Sequence, residues 1–297
     1  VRDTSRFIPT TGDCVGSWMD TYEGGWQTVF PGGGFPSKYG EADLGLHAEA
    51  NTMPWDSVIT EDNVDKVSVK FSVRTYRTPF YFEKTLTLER NSSVLYVDQV
   101  LINEGEEDIH SVWGEHIALG APFLDSSCVI YVPDVNILNH PTKMHENSKL
   151  EPGLKTKWPY TKLQDGTKHD LSKVPGKEFR AYDQSYLEGF DKGWYAITNH
   201  HKKVGFGVSY PSDLYKYLWY WQSLGGGFGY PWYGRTYNIG LEPFTSITNE
   251  GLQTAIDNKT ALLMKAGQRV EASITAVAYT SELPVSKIDA RGNLSFS

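Results

Sequence analysis

Three stretches of this chain set histidine or glutamate into otherwise apolar runs, and both residue types suit proton transfer. Leu46 to Trp55 holds His47 and Glu49, Trp113 to Leu124 holds Glu115 and His116, and Tyr237 to Ser246 holds Glu242 just before Pro243. If the first stretch is extended, the spacing of His47 and Glu49 turns both to one face. In the second, the neighbours Glu115 and His116 must face opposite ways, and His116 shares its side with Gly114. In the third, the proline ends or bends a strand and sets Glu242 at a rim. The competing reading of each is structural: a core histidine held by hydrogen bonds, or a solvated glutamate at a strand end. His47, Glu49, His116 and Glu115 also compose a zinc-type donor set, but no His-Glu-x-x-His helix gathers them, so no metal is expected. A serine nucleophile has no Gly-x-Ser-x-Gly elbow. The glycine triplets at 32–34 and 225–227 lack the strand-to-helix setting and the lysine of a phosphate loop.

Aromatic residues surround these candidates. The chain has nine Trp and eighteen Tyr, with Trp26, Trp55, Trp113, Trp219, Trp221 and Trp232 near the interrupted strands. Such rings cover the apolar C–H faces of sugars, while Asn, Gln, His and carboxylates take the hydroxyls. The same rings also fill sandwich cores. Leu218 to Gln222 alternates, so either Trp219 with Trp221 or Tyr220 with Gln222 faces a cleft.

The elements that must position these groups read as strands. From Val67 to Arg74 apolar residues occupy the odd positions, a half-buried pattern repeated over Lys84–Glu89, Val94–Ile102 and Val270–Ala278. No segment offers a comparably long helical repeat, and Leu252–Asp257 is at most a short helix or turn. Turn clusters between strands predict an all-β chain, a large antiparallel β-sandwich forming one domain over residues 1–297. The Lys-, Pro- and Gly-rich stretch at about 139–177 reads as a long loop excursion, either a flap over a site or a wandering surface insertion.

A formal net charge of −8, without a sustained basic cluster, argues against a nucleic-acid partner. No apolar run is long enough to span a bilayer, so no membrane partner is expected. Cys14 and Cys128, the only cysteines, form one disulfide or remain two thiols. Sequons at Asn91, Asn258 and Asn293 are within chance, and the Val-Arg-Asp start fits a processed or trimmed product. Compartment stays open, with cytoplasm slightly favoured over secretion. Oligomeric state is not readable.

At these landmarks the chain resembles the galactose mutarotase-like superfamily, which includes the aldose 1-epimerases. Leu46 and His47 followed by Met53–Trp55 resemble the family's first-histidine segment. Arg77–Pro79 leads through Val100–Asn103, and Trp113–His116 with Gly120–Phe123 resembles the second-histidine strand. Leu218–Gln222 and Gly240–Pro243 resemble the strand pair carrying the catalytic glutamate. The ordered set spans roughly residues 20 to 280, with Gly-Glu-His standing where sugar mutarotases carry Thr-Asn-His. The resemblance implies a supersandwich, no cofactor, and a carbohydrate partner whose α and β anomers interconvert. It implies Glu242 as general base and His116 as general acid. His47 would hold the sugar, with Glu49, Trp55, Arg77, Asp191, Trp221, Gln222 and Trp232 as further substrate-binding residues. Asp183 competes with Asp191 for the family's sugar-binding aspartate, and Arg74 competes with Arg77 for a substrate carboxylate. Glu115 then becomes a structural carboxylate on the far face. A polysaccharide lyase or a non-catalytic carbohydrate-binding protein on the same scaffold is the alternative.

Overall fold

The structure, a computed structural model, describes residues 14–297. Two antiparallel sheets dominate it. The first has seven strands in the order Trp26–Val29, Gly114–Gly120, Tyr237–Phe244, Tyr217–Leu224, Ala181–Glu188, Asn136–Asn139 and Lys155–Lys157. The second has eight, running from Cys128–Tyr131 through Gly193–Asn199, Val204–Tyr210, Arg269–Thr280, Val94–Asn103, Phe80–Glu89 and Lys66–Arg74 to the edge strand Asp56–Asp62. This is the all-β antiparallel sandwich expected from the alternation.

Period-two alternation gives each strand of the first sheet two different faces. Leu218, Tyr220, Ile239 and Leu241 turn inward and pack in one core with Phe82, Val97, Leu101 and Ile274 of the second sheet. Trp219, Trp221 and Glu242 therefore turn outward, and so does His116 in the neighbouring strand. A second, smaller cluster covers part of that outer face: Trp219 and Phe244 stack with centroids 3.7 Å apart, under Val112, Leu44 and Leu252. The candidate acid–base groups thus sit outside the main core, under a cover of loops and helices.

Two helices contribute to the cover. Leu252–Asp257, read from sequence as a short helix or a turn, is a short helix, and is labelled α2 here after α1, Cys14–Thr21, which the sequence reading did not anticipate. With eight residues, α1 is too short for its periodicity to stand out from a strand-rich background. The excursion at about 139–177 is more ordered than expected. It adds Lys155–Lys157 to the first sheet and folds a hairpin from Tyr160–Lys162 and Lys168–Asp170.

The Lys66–Arg74 strand departs from its expected pattern. Val73 is buried, but Val67 is 38% exposed and its cross-strand partner Leu88 is 47% exposed. On the other face Ser68 is covered and its hydroxyl meets that of Thr87 at 2.9 Å. Alternation reports which residues share a face; here the face is only partly covered at this end of the strand. Cys128 is buried, and the choice between a disulfide with Cys14 and two thiols, left open by the sequence, turns on a Cys14 side chain outside the described ones. Among the described residues no helix is long and apolar enough to cross a membrane.

Candidate active site

Register places the two catalytic candidates on adjacent strands. Gly114–Gly120 pairs with Tyr237–Phe244, with Ala118 opposite Gly240 and Gly114 opposite Phe244. His116 Nε2 lies 3.7 Å from Glu242 Oε1, and the two side chains are only 7% and 2% exposed. Two glycines make this approach workable. A Cβ on Gly240 would sit 2.0 Å from Glu242 Oε1, so only glycine lets the carboxyl lie along its own strand. A Cβ on Gly114 would fall 2.2 Å from the Phe244 ring.

Glu115, on the opposite face, is fully buried and satisfied. Lys84 Nζ meets it at 2.8 Å, and the Trp26 indole and Thr28 hydroxyl also donate to it. The carboxylate ties the His116 strand to the edge strand Trp26–Val29 and, through Lys84, to the second sheet. Its role in the molecule is positional.

His47 reaches the pocket by an unexpected route. The Leu46–Trp55 stretch is not extended: His47 and Ala48 have φ of 57° and 60°, a left-handed turn. His47 is clamped to Gly34, whose amide donates to His47 Nδ1 at 3.2 Å while its carbonyl accepts the His47 amide at 2.9 Å. With Nδ1 accepting, Nε2–H is the donor of the neutral ring. The His47 and His116 ring centroids are 5.4 Å apart. The turn also sends Glu49 elsewhere. Its Oε1 accepts the Tyr76 and Arg77 amides, both at 2.8 Å, and its Oε2 accepts the Thr78 hydroxyl at 2.8 Å. Glu49 therefore fixes the 75–79 turn and does not share a face with His47.

A narrow cavity of about 80 Å³ joins His47, His116 and Glu242 with Trp221 and Trp232. Residues that sequence reasoning missed complete it: Tyr182 and Gln184 from the Ala181–Glu188 strand, Met144 from the excursion, Asn249, and Trp18 and Tyr22 from around α1. Trp18 stacks on Tyr22 with centroids 4.7 Å apart, and the Tyr22 ring is 5.5 Å from that of His116. The hydroxyl of Tyr230 donates its one proton to the Asp20 carboxylate and lies 3.2 Å from the Gly16 carbonyl, fastening α1 over the site.

Other expected residues are not brought here. Gln222 shares the inward face of its strand with Tyr220, because Trp221 between them points outward. Asp191 is an exposed turn residue whose carbonyl accepts the Ser212 hydroxyl. Trp55 donates to the Ala50 carbonyl at 2.8 Å and packs on Phe82. Arg77 lines a separate, larger groove. Asp183 accepts the Lys149 and Leu150 amides, and burial raises its pKa to about 6. Its face is the one opposite Tyr182 and Gln184. Among the described residues no three His, Cys, Asp or Glu side chains converge as a metal site.

Burial sets the electrostatics. It lifts Glu242 well above the ordinary glutamate value and lowers His116 to about 4. His47 is also held well below the usual histidine range, first by burial and then by the His116 charge. Four polar atoms lining this one cavity are buried without a hydrogen-bond partner: Glu242 Oε1, His116 Nδ1, Gln184 Nε2 and Tyr22 Oη. Unpaired buried groups are costly and uncommon, so four in one pocket mark a place built to receive polar atoms.

Comparison with known proteins agrees with this architecture. A family model described as "Domain of unknown function (DUF4432)" matches residues 8–277. No curated protein matches the sequence. Among solved structures, a Klebsiella pneumoniae protein provisionally described as an aldose 1-epimerase has a TM-score of 0.67 at 12% identity, over 94% of this chain and 68% of its own. A galactose mutarotase related enzyme from Lactobacillus acidophilus has a TM-score of 0.57 at 14% identity, over 86% of this chain and 83% of its own. A galactose mutarotase-like protein from Clostridium acetobutylicum gives 0.55 at 16%, over 86% and 79%. The fold is that of the galactose mutarotase-like proteins.

Proposed function

The chain belongs to the DUF4432 family, and on that footing we propose that it interconverts the α and β anomers of an aldose by acid–base ring opening. The observation that carries this reading is the Glu242–His116 pair, 3.7 Å apart in an aromatic pocket, with an unpartnered polar atom on each. Glu242 takes the proton of the anomeric hydroxyl. The C1–ring oxygen bond breaks, and His116 delivers a proton to the ring oxygen. Rotation about C1–C2 and closure on the other face, with the proton movements reversed, give the other anomer.

The charge states follow from counting protons. Burial favours neutral Glu242 beside neutral His116, which together hold one proton. The working form, a carboxylate and an imidazolium, also holds one. Moving that proton between them changes no net charge, and sugar hydroxyls supply the hydrogen bonds that burial withholds. His47, neutral with Nε2–H as donor, holds a substrate oxygen. Trp221, Trp232 and Tyr182 cover the apolar ring face.

Pockets for small ligands usually measure about 300–1,000 Å³. At about 80 Å³ this one admits a sugar ring only when its cover of Trp18, Tyr22 and Met144 shifts outward. A β-eliminating lyase would need a cation beside the substrate carboxylate, and no Lys or Arg is among the described residues lining the pocket.

Inversion-transfer NMR between the α and β H1 signals of aldohexoses tests the proposal. The protein accelerates exchange, and Glu242→Gln removes the acceleration while the circular dichroism of the fold is kept. Full acceleration by folded Glu242→Gln protein would refute it.

A further inference from the structure

Beyond the narrow pocket lies a much larger groove of about 1060 Å³, and the two share Trp18 and Leu46 as a wall. Its floor includes Gln27, which is directly opposite His116 in the strand pairing and so projects to the same face of the sheet. The groove therefore begins one strand away from the acid–base pair.

Its lining has the mixed character of a sugar site. Tyr76, 82% exposed, lines the groove with Met53 and Pro54, so its lining includes apolar as well as polar side chains. Both amide atoms of Asn51 and Oε1 of Gln27 are buried without a hydrogen-bond partner, so one donor and two acceptors are unused. Charge restricts the ligand further. Arg77 is the one cation among the described lining residues, against the carboxylates of Asp43 and Glu49. A phosphate or carboxylate would meet net repulsion there, and a neutral polyol would not.

We infer that this groove is a second sugar subsite, and that the substrate is a neutral reducing disaccharide whose reducing-end ring enters the inner pocket. The neighbouring sugar unit lies in the groove, stacked on Tyr76 and hydrogen-bonded by Asn51 and Gln27. Trp18 and Leu46 mark the passage between the two rings. This inference rests on the proposed epimerase reading and adds the size and charge of the substrate.

Calorimetric titration of Glu242→Gln protein tests it, since that variant holds sugar without turning it over. The probes are glucose and galactose, their disaccharides maltose, cellobiose and lactose, and glucose 6-phosphate. At least one disaccharide binds about tenfold or more tightly than its monosaccharide, and glucose 6-phosphate binds more weakly than glucose. Asn51→Ala cuts the disaccharide preference about tenfold, the worth of a hydrogen-bonded pair. Tyr76→Ala, at an exposed position that the fold does not depend on, also reduces it. Disaccharides binding no better than monosaccharides, or a preference untouched by both variants, would overturn the inference while leaving the epimerase reading intact. If none of the sugars binds and wild-type protein exchanges no anomers, both fall together.

Discussion

Replacing Lys84 by Met leaves the Glu115 carboxylate inside the sandwich without its ammonium partner. Glu115 is 0% exposed and Lys84 12%, and the two meet at 2.8 Å, so solvent cannot take over the lost contact. Removing one member of a buried pair typically costs about 3–5 kcal/mol. The Trp26 indole and Thr28 hydroxyl still donate to the carboxylate, which argues for the lower half of that range. At roughly 2–4 °C per kcal/mol for a domain somewhat smaller than this chain, a loss of about 3–4 kcal/mol drops Tm by about 6–16 °C. Calorimetry and urea unfolding at neutral pH measure the loss. Adding Glu115→Leu to Lys84→Met removes the stranded charge and recovers most of the stability, because an apolar pair of similar volume needs no solvation. A loss under about 1 kcal/mol, or a double variant no better than Lys84→Met alone, would refute the idea that this ion pair is what joins the His116 strand to its neighbours.

The pH dependence of anomer exchange is bell-shaped. On the acid side the pair gains a second proton, a limb set by His116 near its lowered value of about 4; on the alkaline side it loses the shared proton as Glu242, raised by burial, ionises. A profile flat across both limbs contradicts this. Glu242→Gln stabilises the protein at neutral pH. Between the ordinary glutamate value of 4.5 and the raised one, native Glu242 keeps a proton that the unfolded chain has lost. Stability therefore falls with rising pH across that window, by about 1.4 kcal/mol per unit. The Tm gain of the variant shrinks toward pH 4.5, and a gain constant with pH would argue against the buried carboxyl as its source. Gly114→Ala drives a methyl to 2.2 Å from the Phe244 ring, which is stacked against Trp219. It costs about 1–3 kcal/mol by chemical denaturation, and an unchanged midpoint would show that the stack gives way freely.

Much of the site was legible because strand alternation is a geometric rule. It separated His116 from Glu115, placed Gly114 with His116, and kept Trp219 and Trp221 together. It left open which face of the Tyr217–Leu224 strand meets the cleft, and the structure answers with the tryptophans, turning Gln222 inward. Where the backbone leaves the strand period, the rule gave no guidance. His47 arrives on a left-handed turn that parts it from Glu49, and Asp191 occupies an exposed turn. Trp18 comes from a short helix and Tyr22 from the residue just after it, far from the catalytic strands in sequence. Tyr182 and Gln184 had a readable signal, since both sit on alternate positions of a strand paired with Trp221. Their proximity to Glu242 needed the order of strands in the sheet, which local pattern does not contain.

The central claim is that Glu242 and His116 act as one proton-transferring couple on a sugar. Anomer-exchange rates of Glu242→Gln, His116→Asn and the double variant, measured at the optimum pH against the uncatalysed rate, test it most directly. Groups acting as a unit lose function non-additively, so each single variant should fall close to the uncatalysed rate and the double variant no further. Single variants that each keep substantial catalysis, with losses that multiply in the double, would contradict the account.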